Sequence, residues 1–198
     1  MKKIVITAIV ILIVSVAFFG CDKKKSTYEK GILTEKSFES KYLRMRFSLP
    51  AGYVMGTEED LNRMMDIGAD ITGTSKLQID YAKLTTVYEM MAMEPSGRSS
   101  VVIYSENPVL SGLTVAQYFD ALKEGLFAQA ALDYKLVNDV SSVRITEEDY
   151  EQMTFLLSNL GCYQSYSIRK LDSRFIGIIV TYYTEDQLDT LMNGFSAY

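Results

Sequence analysis

The run Phe175-Ile176-Gly177-Ile178-Ile179-Val180 constrains this chain more than any other stretch. Side chains of a strand alternate between its two faces, so a strand wetted on one face is apolar only at every second position. Here both sets of positions are apolar. Both faces must be covered, which places the run centrally in a sheet packed on two sides. Tyr163 to Lys170 reads as its partner, joined through the polar turn Leu171-Asp172-Ser173 as a hairpin with Arg174 to Tyr183. Thr184 with Gln187 then forms a capping box. Leu188, Leu191, Met192 and Phe195 follow at i, i+3, i+4 and i+7, which predicts a closing helix.

The upstream chain shows the same two signals. Leu43, Met45, Phe47 and Leu49 alternate with Arg44, Arg46 and Ser48, so Ser37 to Pro50 reads as two short strands ended by the turn Pro50-Ala51-Gly52-Tyr53. Thr57 before Glu58-Glu59-Asp60 predicts a helix start, with Leu61, Met64, Met65, Gly68 and Ile71 on one face. Leu84 to Glu94 and Ser99 to Glu106 flank the turn Pro95-Ser96-Gly97-Arg98 as a second hairpin. Thr114 with Gln117 is another capping box. It opens a helix whose stripe is Val115, Tyr118, Phe119, Leu122, Leu126 and Ala130. Tyr134 to Val140, Ser142 to Ile145 and Tyr150 to Leu157 read as further strands.

Strands follow strands too directly for a parallel order. The expected architecture is α+β: an αβα sandwich, its antiparallel β-sheet flanked by helices on both faces, formed by residues 37–198 as one domain. An apolar fraction of 48% suffices to fill such a core.

The first residues carry an address. Met1-Lys2-Lys3 is basic, Ile4 to Phe19 is apolar except for Thr7 and Ser15, and Gly20-Cys21 follows. A basic start, an apolar run and a small residue before the cut mark a secretory signal. The run falls short of the about 20 residues that a membrane-spanning helix needs. Phe18-Phe19-Gly20-Cys21 resembles the lipobox of bacterial lipoproteins, although Phe18 and Phe19 replace the usual Leu and small residue. The resemblance implies cleavage between Gly20 and Cys21, a diacylglyceryl group on the Cys21 sulfur, and often an acyl chain such as palmitate on the new amine. Two or three chains anchor stably, whereas one holds only marginally. Residues 1–20 are therefore expected to be a signal peptide. Residues 21–36 are expected to be the lipidated cysteine and a flexible polar tether rich in lysine (Lys23, Lys24, Lys25, Lys30, Lys36). The expected location is the cell membrane, with the domain on the extracytoplasmic side.

Charge and residue types exclude several chemistries. The chain has 20 Lys and Arg against 25 Asp and Glu, a net of −5. This balance argues against nucleic acid, whose phosphates are held by basic side chains. The absence of histidine excludes Ser-His-Asp and Cys-His catalytic sets and His-ligated metal sites. With Cys21 lipidated, Cys162 has no disulfide partner, and it reads as a small buried hydrophobe. Glu58-Glu59-Asp60 and Glu185-Asp186 suit helix N-termini, while Glu147-Glu148-Asp149 reads as a turn without the spacing of a calcium loop. No metal and no cofactor is implied. Met55, Met64, Met65, Met90, Met91, Met93 and Met192 read as core filling, the alternative being an adaptable binding surface. Tyr163, Tyr166, Tyr182 and Tyr183 read as cross-strand pairs, the alternative being an aromatic platform.

The order of elements and the run Tyr42-Leu43-Arg44-Met45-Arg46-Phe47-Ser48-Leu49-Pro50-Ala51-Gly52-Tyr53 resemble the PsbP-like lipoproteins of bacteria, the DcrB-type proteins among them. The likeness lies in a strand followed by Leu-Pro-x-Gly-aromatic and an acidic helix start. The Thr-x-x-Gln-Tyr helix start at Thr114 to Tyr118 and the closing hairpin and helix add to it. It covers most of residues 37–198 and implies the αβα sandwich and a binding or assembly role. Pro50, Gly52 and Tyr53 are turn and core residues, so no functional residue carries over. The expected function is a non-catalytic, membrane-anchored module with an envelope protein as partner. The alternatives are a small-ligand or lipid binder using a cleft between sheet and helix, and a carboxylate-based hydrolase built on Glu147, Glu148 and Asp149.

Overall fold

The structure, a computed structural model, describes residues 28–57, 59–60, 63, 85–108, 112–129 and 132–198. In chain order they form β1 (Ile32–Leu33), β2 (Ser37–Ser40), β3 (Met45–Ser48), β4 (Val54–Met55), β5 (Thr86–Met93), β6 (Ser100–Glu106), α1 (Val115–Phe127), β7 (Tyr134–Ile145), β8 (Glu148–Leu157), β9 (Cys162–Leu171), β10 (Arg174–Tyr182), α2 (Glu185–Met192) and β11 (Phe195–Ala197).

β10 is the middle strand of a seven-stranded sheet ordered β4-β5-β6-β10-β9-β8-β7, antiparallel throughout. Its two apolar faces feed two cores. Phe175 and Ile179 pack with Phe119, Leu122 and Leu126 of α1, while Ile176, Ile178 and Val180 pack with Phe38, Leu43, Phe47 and Leu191. Gly177 lets the Tyr104 ring cross β10: a Cβ there would lie 2.1 Å from its Cζ. The fold is α+β, with α1 on one face of the sheet and α2 on the other. A four-stranded sheet, β1-β2-β3-β11, shares the second face with α2.

Both capping boxes are formed, at Thr114 with Gln117 and at Thr184 with Gln187. At Thr57, the Asp60 N–H donates to Thr57 Oγ1 at 3.1 Å and the Thr57 N–H to Asp60 Oδ2 at 2.9 Å, the same reciprocal pattern. The helix face expected at Leu61, Met64, Met65, Gly68 and Ile71 lies outside the described residues, as does Ala130.

Three local readings are corrected. Phe195 continues the helical spacing but belongs to β11, opposite Phe47, with ring centroids 5.0 Å apart. The helix stops at the cap Asn193, and Gly194 lets the chain fold back closely, since a Cβ there would lie 2.7 Å from Phe47 Cε2. The two strands expected between Tyr134 and Ile145 are one, β7, which follows β8 through two register shifts. Glu148 and Asp149 lie in β8 and not in a turn, because the reversal is made just before them at Thr146, whose φ is 61°.

Candidate functional site

The site grows from a carboxylate placed among apolar neighbours. Glu89 interrupts the β5 sequence Tyr88-Glu89-Met90-Met91-Ala92 and is only 1% exposed. The register between β5 and β6 shifts between Tyr88 and Met90. A bulge re-aims a side chain, and here it turns Glu89 towards the chain entering the domain. Tyr28 Oη donates to Glu89 Oε1 at 2.6 Å, and the Gly31 N–H donates to Oε2 at 2.9 Å. The Arg174 guanidinium lies 4.1 Å from the centre of the Tyr28 ring, and Tyr42 meets that ring edge-on at 5.2 Å. Arg174 is held in turn by Ser105: its Nε donates to Oγ at 2.5 Å and its Nη2 to the carbonyl oxygen at 3.3 Å.

Burial pushes the Glu89 carboxyl above the ordinary carboxylate range. The Tyr28 and Gly31 donors and the charges of Lys30 and Arg174 pull it back down. Burial, reinforced by the hydrogen bond to Glu89, raises the Tyr28 phenol, so Tyr28 stays a neutral donor. Gly31 is required by space: a Cβ would lie 2.3 Å from Phe38 Cε2. The segment then continues into β1, with Ile32 opposite Glu39 and Leu33 opposite Phe38. Of the tether expected over residues 21–36, positions 21–27 lie outside the described residues, and Tyr28 and Gly31 are held by this latch. From Tyr28 onward the chain belongs to the domain, because a buried carboxylate must find donors and Tyr28 and Gly31 supply them.

Two more buried charges brace the sheet. Arg169 on β9 donates Nη1 to Glu148 at 2.7 Å, Nη2 to the Leu43 carbonyl at 2.7 Å and Nε to Tyr150 Oη at 3.1 Å. It ties the large sheet to the turn before β3. Glu106 at the end of β6 accepts from Tyr118 Oη of α1 at 2.8 Å, and Tyr118 lies 3.0 Å from Tyr104 Oη. Burial pushes the Glu106 carboxyl up, against the Tyr118 hydrogen bond and the Arg174 charge.

The chain's topology matches a solved structure. Cyanobacterial PsbP (CyanoP) from Synechocystis sp. PCC 6803 superposes with a TM-score of 0.50 at 12% identity, covering 87% of this chain and 98% of that one. The fold is PsbP-like. No protein-family model and no curated sequence matches the chain, so the likeness resides in the path of the backbone.

Within this PsbP-like frame the residues singled out from the sequence separate. Gly20 and Cys21 lie outside the described residues. Glu148 is committed to Arg169 and to Arg44, whose Nη1 lies 3.1 Å from its Oε1. Met90 and Met91 are wholly buried, and Met55, Met93 and Met192 partly so, as core filling requires. Tyr163 and Tyr182 are cross-strand partners stacked with centroids 5.5 Å apart. Cys162 is buried, and burial pushes its thiol up to about 11. Among the described residues no helix is long and apolar enough to cross a membrane, and no group of three or more His, Cys, Asp or Glu gathers to hold a metal. Glu89, Glu106, Arg169 and Arg174 were missed by the sequence reading. Glu89 alone carried a signal, as a single charge inside the otherwise apolar strand β5, whereas Glu106 and Arg174 stand at strand ends and Arg169 is followed by Lys170 in a partly polar strand.

Proposed function

We propose that this protein is a non-catalytic binding or assembly module held at the extracytoplasmic face of the cell membrane by lipid on Cys21. The observation that carries the reading is the latch at Glu89. It seats Tyr28, seven positions after Cys21, in the folded domain, so a lipid on that cysteine acts directly on the domain's position. The surface offered to an envelope protein partner is the edge strand β7. There Leu136, Val137 and Val140 are exposed, as is Phe127 at the end of α1. Apolar side chains beside unpaired strand backbone suit a partner that adds a strand. In-cell crosslinking of the native protein, with Cys21→Ala as the unanchored control, should recover a specific envelope protein. Recovery of none, or the same recovery without the anchor, defeats the reading.

A small polar ligand between sheet and helix is the second reading. Thr86 Oγ1 and Tyr88 Oη are buried with no hydrogen-bond partner among the described residues, opposite Glu106 and Tyr104 respectively. Buried hydroxyls of this kind call for water or a ligand. Thermal shift against a panel of metabolites and lipids tests it, and a flat response removes it.

A further inference from the structure

We infer that the domain meets the bilayer through the free edge of β1, with Ile32 and Leu33 set at the boundary between headgroups and acyl chains. The inference deepens the proposed function and rests on Cys21 carrying the anchor. The latch supplies the first argument. With Tyr28 fixed by Glu89 and lying against Arg174, only the stretch from Cys21 to Tyr28 remains to span the gap. Seven Cα-to-Cα steps reach about 25 Å when fully extended. On so short a line the surface around Tyr28 is the part of the domain nearest the membrane.

The second argument is the shape of that surface. Among the described residues β1 is the outermost strand of its sheet and pairs only with β2. Neighbouring residues of a strand point to opposite faces, yet Ile32 is 71% and Leu33 40% exposed. Neither face of this edge is covered, so it forms a ridge with an aliphatic side chain on each flank. Charge supplies the third argument. The chain as a whole is acidic, which sets most of its surface against an anionic bilayer. Around the ridge Glu29 and Glu35 are balanced by Lys30 and Lys36, all exposed. This edge is therefore not repelled, and shallow burial of aliphatic groups at the interface is favourable.

The test uses the processed, full-length lipoprotein in vesicles of phosphatidylethanolamine and phosphatidylglycerol carrying a nitroxide on the acyl chain. A nitrobenzoxadiazole fluorophore is placed at Ile32→Cys or, as control, at Val140→Cys on β7, an outer strand of the other sheet. Cys162 is buried and does not take the label. Docking by the ridge blue-shifts and quenches the label at 32 and leaves the label at 140 unchanged. A protein that sediments with the vesicles while position 32 stays unquenched, or is quenched no more than 140, overturns the inference and leaves the anchor standing. A protein that does not sediment refutes the anchor itself. Ile32→Asp with the label at Leu33→Cys is the second variant. It should abolish quenching without loss of sedimentation, and quenching that survives it also overturns the inference.

Discussion

Tyr28→Phe isolates the latch. The substitution removes one oxygen and keeps the ring that lies against Arg174 and Tyr42. What is lost is a 2.6 Å hydrogen bond to a carboxylate. Such bonds are worth about 1.5–3 kcal/mol, and Tyr28 is only partly buried, so the lower half of that range applies. At 1.4 kcal/mol per tenfold, about 1.5–2 kcal/mol becomes a 10- to 30-fold rise in the open population of residues 28–31. The Gly31 amide reports it directly, because its N–H donates to the other oxygen of the same carboxylate. Hydrogen exchange at Gly31 should accelerate by that factor, while amides of the central strands β9 and β10 keep their protection, since local openings need not involve the whole domain. Unchanged exchange at Gly31 would refute the claim that Glu89 holds the entering chain. Equal acceleration in β10 would show that the segment opens only with global unfolding.

Four further outcomes are expected. Glu106→Gln keeps an acceptor for Tyr118 and removes a buried charge. The carboxyl is raised in the fold, so its favourable contribution is complete below the ordinary Glu range and fades as pH rises through the raised value. Urea titrations should show the variant gaining on the native protein between pH 4 and 7, and a constant difference would contradict this. Arg169→Met leaves Glu148, Tyr150 and the Leu43 carbonyl without their common donor. A loss of about 1.5–3 kcal/mol, or about 3–12 °C in Tm by calorimetry, follows for removing hydrogen bonds to a charged group at a partly buried pair in a domain of this size. Gly177→Ala drives a methyl into Tyr104, whose hydroxyl is tied to Tyr118, and should cost about 1–3 kcal/mol in a denaturant titration. The Cys162 thiol, pushed up to about 11 by burial, should stay unreactive towards a disulfide reagent at pH 8 until the domain is unfolded, and rapid native labelling would disprove that.

Much of the fold was legible because its determinants are local. The β9–β10 hairpin follows from two apolar runs around Leu171-Asp172-Ser173, and both capping boxes from residues three apart. β11 was misread because Phe195 keeps helical spacing with Leu188 and Leu191. Spacing says nothing of the close approach of Gly194 to Phe47, a residue far upstream in the chain. β1 was hidden because two residues in a polar stretch carry no periodicity. The candidate site was the least legible part. Glu89 was visible as a lone acid in a Met-rich strand, but its donors lie 58 and 61 positions upstream and were assigned to a tether.

By itself the sequence determined the acidic balance, the lack of histidine and the central place of β10, since each depends on residue type and short-range pattern. Only the tertiary structure decided that Tyr28 and Gly31 close on Glu89, that Arg169 spans from β9 to Leu43, and that a second sheet covers the face shared with α2. The physical reason is that a buried charge dictates that it must be paired but not with whom. That choice falls to whichever donors the chain's path brings within hydrogen-bonding distance.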